Sequence, residues 1–163
     1  MPDSTARRIA RVLKVFVTAT FICNLIAVPA VPWVVWRGYA ESGLAWVNGY
    51  HLPLVVFLMF CGCCTAVVLW QGRRVLDTIL RGEPFSPDNA VSLRRAAVCA
   101  FCISGAALAR LAWGFWFYRS VRPLLTYNAL FVPVFAMAGL LCLVMSALFR
   151  RAAELKAEND LTI

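Results

Sequence analysis

Charge is scarce in this chain of 163 residues, and negative charge is scarcest: Asp and Glu number 8 against 16 Lys and Arg, and charged residues make up only 15%. A soluble domain carries about 25% charged residues. Polar low-complexity stretches are also missing, which excludes a disordered chain. Every acid falls outside the long apolar runs, so there are no paired carboxylates within them for proton transfer. No Ser-His-Asp set and no phosphate-cradling loop is present, and His51 is the sole histidine. Without those groups the chain reads as a non-enzyme that needs no cofactor. None of the seven cysteines falls in a loop expected outside, which excludes a secreted disulfide scaffold.

What is abundant is apolar. Hydrophobic residues make up 62%, and the mean hydropathy is +0.76. A helix needs about 20 apolar residues to cross a bilayer. Four runs meet that length, at 12–36, 52–70, 96–118 and 127–149. Strand-like alternation is absent, and backbone amides in lipid must be bonded within their own segment, so the spans should be helices. The expected fold is an all-α, four-helix transmembrane bundle forming a single domain, with a loop at 71–95 and a tail at 150–163.

Lys and Arg in short loops set the orientation. Arg7, Arg8, Arg11 and Lys14 lie in the N-terminal segment; Arg73, Arg74, Arg81, Arg94 and Arg95 follow the second span; Arg150, Arg151 and Lys156 follow the fourth. The opposite loops hold only Arg37, Arg119 and Arg122. Both termini should therefore be cytoplasmic, and the basic clusters are topogenic rather than a nucleic-acid surface. Trp33, Trp36, Trp46, Trp113 and Trp116 collect near the outer surface, and Trp70 near the inner one. The first span has a basic start and a small-residue site at Val28-Pro29-Ala30, but it runs on through Trp33 and Trp36, too long for a cleaved signal.

Sliding the chain along itself brings Tyr50 onto Tyr127, Gly62 onto Gly139, Arg73-Arg74 onto Arg150-Arg151 and Asp77 onto Glu154. Arg7-Arg8 likewise resembles Arg94-Arg95. The expectation is two parallel helical-hairpin repeats about an axis along the membrane normal. Each Arg-Arg-x-x-acid element places an arginine and an acid at i,i+4 on a helix. The second and fourth helices should thus continue beyond the membrane, the second ending near Gly82.

Four features carry possible chemistry. Cys61-Gly62-Cys63-Cys64 and Cys99-Ala100-Phe101-Cys102 each contain C-x-x-C, so Cys61, Cys64, Cys99 and Cys102 are candidates for a metal or thiol switch. Small residues at such positions also simply let transmembrane helices pack closely. Arg110 lies about 12 Å below the outer end of its span. A charge there is a functional hypothesis: with Asn24, Glu41 and His51 it would line an outward pocket for a lipid or anionic amphiphile. Alternatively it snorkels to the headgroups. In the 71–95 loop, Gly82-Glu83-Pro84-Phe85-Ser86 is sharply punctuated. Ser86 suits an N-cap, Pro87 a first helical position, and Phe85 a hydrophobic staple, as a rigid turn or as a docking surface. The tail Glu158-Asn159-Asp160-Leu161-Thr162-Ile163 mixes acids with apolar residues in the manner of an extended docking segment.

Gly82-Glu83-Pro84-Phe85-Ser86 before a basic helix start, together with Phe149-Arg150-Arg151-Ala152-Ala153-Glu154-Leu155 and that tail, resembles the bacterial integral membrane family called domain of unknown function 2975. The resemblance covers most of the chain. It implies a small inner-membrane protein without assigned activity. Family members are often encoded beside a small helix-turn-helix regulator of the Cro type, which implies such a regulator as a partner. The docking surface would then comprise Gly82, Pro84, Phe85, Ser86, Glu154, Glu158, Asn159, Asp160, Leu161 and Ile163. The rival reading is a small transporter or lipid-binding protein acting through Arg110, which four spans would permit only as a homo-oligomer.

Overall fold

The computed structural model describes residues 4–41, 51–83, 85–118 and 127–160. They form four helices: α1 (Ser4–Glu41), α2 (His51–Arg81), α3 (Pro87–Tyr118) and α4 (Tyr127–Asp160). All four are long and apolar enough to cross a membrane. Each outruns its apolar run at the Arg-rich end, where charge ends the lipid-compatible stretch but not the helical propensity.

The helices lie in an open row. Among the described residues α1 packs on α2, α2 on α3 and α3 on α4, and the remaining pairs touch marginally or not at all. The centre of the row is α3, with 39% of its most apolar window buried against 0% for α1 and α2 and 6% for α4. Its buried stripe is Ala96, Ala97, Ala100, Ile103, Ala107 and Leu111, interleaved with Ser92 and Ser104. Small side chains at helical spacing let two helices approach one central helix from both sides. The large apolar residues, such as Phe16, Ile26, Leu108, Leu130 and Val134, point away from these contacts.

Close pairs fix the register. Along α1 and α2 these are Lys14 with Asp77, Phe21 with Trp70, and Val28 against Gly62. Along α2 and α3 they are Thr78 with Asn89 and Phe57 with Arg110. Along α3 and α4, Ser146 donates to the Ala90 carbonyl at 2.7 Å and Ser104 to the Val132 carbonyl at 2.9 Å. The second bond lands one residue before Pro133, which lies inside α4.

This register bears on the expected duplication. It sets Arg94-Arg95 beside Arg73-Arg74 on α2, whereas Arg8 projects beyond the last turn of α2. At the helical rise, matched arginines of α1 and α3 differ in depth by about 15 Å. An axis along the membrane normal would relate matched arginines at equal depth.

The α2–α3 turn is capped at both sides. Gly82 adopts φ 86°, and its N–H reaches the Ile79 carbonyl while that of Glu83 reaches Thr78, both at 3.1 Å. This is a Schellman stop, which needs a residue tolerant of the left-handed region. Ser86 then caps α3: its Oγ accepts from the Asp88 N–H at 3.3 Å and its carbonyl from Asn89 at 3.0 Å. The Thr78 hydroxyl lies 2.7 Å from Asn89 Oδ1, and Asn89 is only 1% exposed. That contact ties the two helix ends together.

Candidate functional site

A concavity lies at the Arg-rich end, between the α2–α3 turn and the last turns of α4. It encloses about 630 Å³ and is lined by Glu83, Phe85, Ser86, Pro87, Ala90 and Val91 on one side and by Arg150, Ala153, Glu154, Lys156 and Ala157 on the other. Its walls follow from two local features. The capped turn stops α2 and restarts α3 within a few residues, while α4 continues through Asp160. One wall is therefore a turn and the other a projecting helix.

Phe85 fixes the width. Its ring lies 5.8 Å from that of Phe149 on α4, so it bridges to the neighbouring helix and does more than staple its own. Half the residue remains exposed. On the facing wall Arg150 Nε donates to Glu154 Oε1 at 3.0 Å, the i,i+4 pair expected from the sequence. The corresponding pair on α2 does not form. Asp77 goes to Lys14 on α1 at 2.6 Å, and the Arg73 guanidinium lies over the rings of Phe21 and Trp70 at 5.9 and 5.8 Å. A lysine on the adjacent helix offers Asp77 a partner that costs Arg73 none of its aromatic contacts.

Of the sequence-derived docking residues, the structure thus brings Phe85, Ser86 and Glu154 into one groove, with Gly82 at its edge. Glu158 and Asn159 lie on the projecting last turns of α4. Pro84, Leu161 and Ile163 lie outside the described residues, as does the side chain of Asp160. Sequence reasoning missed Val91, Arg150 and Lys156 as groove residues. Their signal was helical spacing: Arg150, Glu154 and Ala157 share one face of α4.

Of the residues expected around Arg110, the structure places Asn24 at a different depth. The guanidinium lies 4.8 Å from the Phe57 ring centroid, a cation–π contact between α3 and α2, with the Cys61 thiol in electrostatic range. Asn24 sits on α1 between Phe21 and Val28, hence level with the stretch of α2 between Gly62 and Trp70. That is about 15 Å from Arg110 in depth. Asn24 Oδ1 is buried without a hydrogen-bond partner, as is Gln71 Oε1. The side chains of Glu41 and His51 lie outside the described residues.

The two C-x-x-C motifs do meet, across the α2–α3 interface. Cys64 is in electrostatic range of Cys99 and Cys102 as well as Cys61. All seven thiols are free, and no group of three or more His, Cys, Asp or Glu among the described residues is arranged to hold a metal ion.

Residues 36–163 match the family described as Protein of unknown function (DUF2975). The chain belongs to that family. No curated protein and no solved structure matches it. The groove, the capped turn and Arg110 all fall within the DUF2975 stretch, whereas Lys14 and Asn24 precede it.

Proposed function

We propose that this chain is a non-enzymatic regulatory or sensory protein of the bacterial inner membrane, with both termini cytoplasmic. Its groove at the Arg-rich end docks a small cytoplasmic helix-turn-helix regulator. The observation that carries this reading is the groove itself. It lies beyond the apolar spans, within the range of about 300–1,000 Å³ typical of ligand sites. A half-exposed aromatic, Phe85, stands at its mouth, and Leu155 is 62% exposed on the projecting part of α4. Exposed aromatics in a polar-rimmed concavity are the usual anchors of protein recognition.

The Arg-rich segments act as topogenic anchors, so DNA contact would belong to the partner. In this reading the membrane protein holds the regulator and releases it when the spans respond to a change in the membrane. A second reading, a small oligomeric transporter or amphiphile-binding protein centred on Arg110, draws on the cation–π contact with Phe57. The side chains of Glu41 and His51, which it also invokes, lie outside the described residues.

The test compares co-purification from the native cells of the intact chain, a chain ending at Glu154, and Phe85→Ala. A small helix-turn-helix protein should come with the intact chain. Its recovery should fall about tenfold with either variant, as the loss of one anchor side chain costs on the order of 1–2 kcal/mol. Equal recovery with all three, or no such protein with any, defeats the regulator reading.

A further inference from the structure

A second concavity continues the groove toward the spans. It holds about 320 Å³ between α3 and α4 and is lined by Ala90, Val91 and Arg94 on α3 and by Leu143, Ser146, Ala147 and Arg150 on α4. Ala90, Val91 and Arg150 are shared with the larger groove below it. Its place in the helices is distinctive. Arg150 is the first charge met on leaving the apolar run of α4, and Arg94 belongs to the Arg94-Arg95 pair that ends the run of α3, so the cavity straddles the boundary between hydrocarbon and headgroup depth.

The α3–α4 register places Arg94 and Arg150 about 12 Å apart along the helices. They nevertheless line one cavity. The reason is the antiparallel pairing. Side chains lean toward the N-terminus of their own helix, so Arg94 leans toward the Arg-rich end and Arg150 back toward the spans. Arg94 and Arg150 thus share this cavity with Val91, Leu143 and Ala147. No acid lines this cavity. The neighbouring Glu154 engages Nε of Arg150, one of the five N–H donors a guanidinium carries.

Two arginines above an apolar floor at headgroup depth have one natural complement: a phosphate joined to acyl chains. We infer that the α3–α4 cavity is a binding site for an anionic phospholipid. The phosphate sits between Arg94 and Arg150, and an acyl chain runs up the groove past Leu143. Basic clefts between transmembrane helices take anionic headgroups by this chemistry, and guanidinium matches phosphate with paired hydrogen bonds. The inference is independent of the regulator reading. It adds a means of coupling, because a phosphate on Arg150 would act on a residue that also lines the docking groove.

The test is a lipid titration of the full chain in neutral detergent, with bound lipids counted by native mass spectrometry. The probes are phosphatidylglycerol and phosphatidylcholine of matched chains, with inorganic phosphate as competitor. Phosphatidylglycerol should be retained about tenfold better than phosphatidylcholine, as charge-assisted bonds to a phosphate allow. Arg94→Gln with Arg150→Gln should abolish that preference. Arg95→Gln with Arg151→Gln removes the same charge beside the site and should change it less than about twofold. If the first double variant does not fold, Ala147→Leu, which fills the floor and spares both arginines, must show the same loss. The inference fails if the two double variants lose preference equally, if no headgroup preference exists, or if millimolar inorganic phosphate displaces the lipid and so marks a site for soluble phosphate.

Discussion

The two hairpins carry the same Arg-Arg-x-x-acid element at the Arg-rich end and use it in opposite ways. On α2 the acid leaves its own helix: Asp77 pairs with Lys14, and Arg73 turns onto Phe21 and Trp70. On α4 the element closes on itself through Arg150 and Glu154, and the space beside it stays open as a groove. The neighbours make the difference. α1 brings a lysine to the level of Asp77, whereas the stretch of α3 beside Arg150 offers only Ala90, Val91 and the capped turn. An i,i+4 pair worth a few tenths of a kcal/mol yields to any better partner. The same local sequence therefore seals one hairpin and leaves the other available for binding.

The largest test of this asymmetry lies in the core. Ala97 and Ala107 on α3 are fully buried, whereas Ala19 on α1 is exposed. Ala107→Leu should destabilise the protein by about 1–3 kcal/mol, since a close-packed helix contact has no room for added methylenes. Ala19→Leu should change stability by less than about 0.5 kcal/mol. Unfolding in mixed micelles, followed by circular dichroism, reads both. Equal effects would mean that α3 is not the centre of the row.

The matched glycines give a finer contrast. A Cβ at Gly62 would collide with a Val28 methyl on α1. Valine is stiff at χ1, and Pro29 follows it, so little can give. A Cβ at Gly139 would come within 3.1 Å of the tip of the Phe101 ring, and Phe101 is 36% exposed. That ring can swing. Alanine gains up to about 1 kcal/mol over glycine in a helix. Gly62→Ala should therefore lose stability by about 1–2 kcal/mol net of that gain, and Gly139→Ala should be neutral or stabilising. The same denaturation measurement decides. Two equal losses would remove the distinction between the hairpins.

How much of this was legible beforehand differs by residue type. The four helices and the α2–α3 turn were readable because Gly82, Ser86 and Pro87 act through local backbone geometry, and apolar runs report span length directly. The groove was half readable. Phe85 and Glu154 stand out in sequence, but Arg94 and Arg150 look like ordinary topogenic charges until the packing of α3 on α4 is seen to leave one cavity that both line. The pairing of Asp77 was hidden for the same reason, since it depends on Lys14 in a different helix. The different depths of Asn24 and Arg110 were hidden too, because the offset of one helix against the next is not written in either span. Contacts such as Lys14 with Asp77 and Phe57 with Arg110 set those offsets instead.

The smallest effect isolates the comparison most directly. A double-mutant cycle on Lys14→Ala and Asp77→Ala measures the link between α1 and α2; one on Arg150→Ala and Glu154→Ala measures the self-contained pair. The first pair is about a third exposed on each side, at 37% and 35%, and the second is more open, at 77% and 58%. Solvent screens both, so the expected couplings are about 0.5–1 kcal/mol for the first and about 0.3 kcal/mol for the second. Salt separates them further, because the more exposed pair should vanish within error as ionic strength rises toward the molar range. A coupling at Arg150–Glu154 as large as that at Lys14–Asp77 would mean that the pair within α4 is as firm as the pair between α1 and α2. Arg150 would then not be readily shared with a ligand.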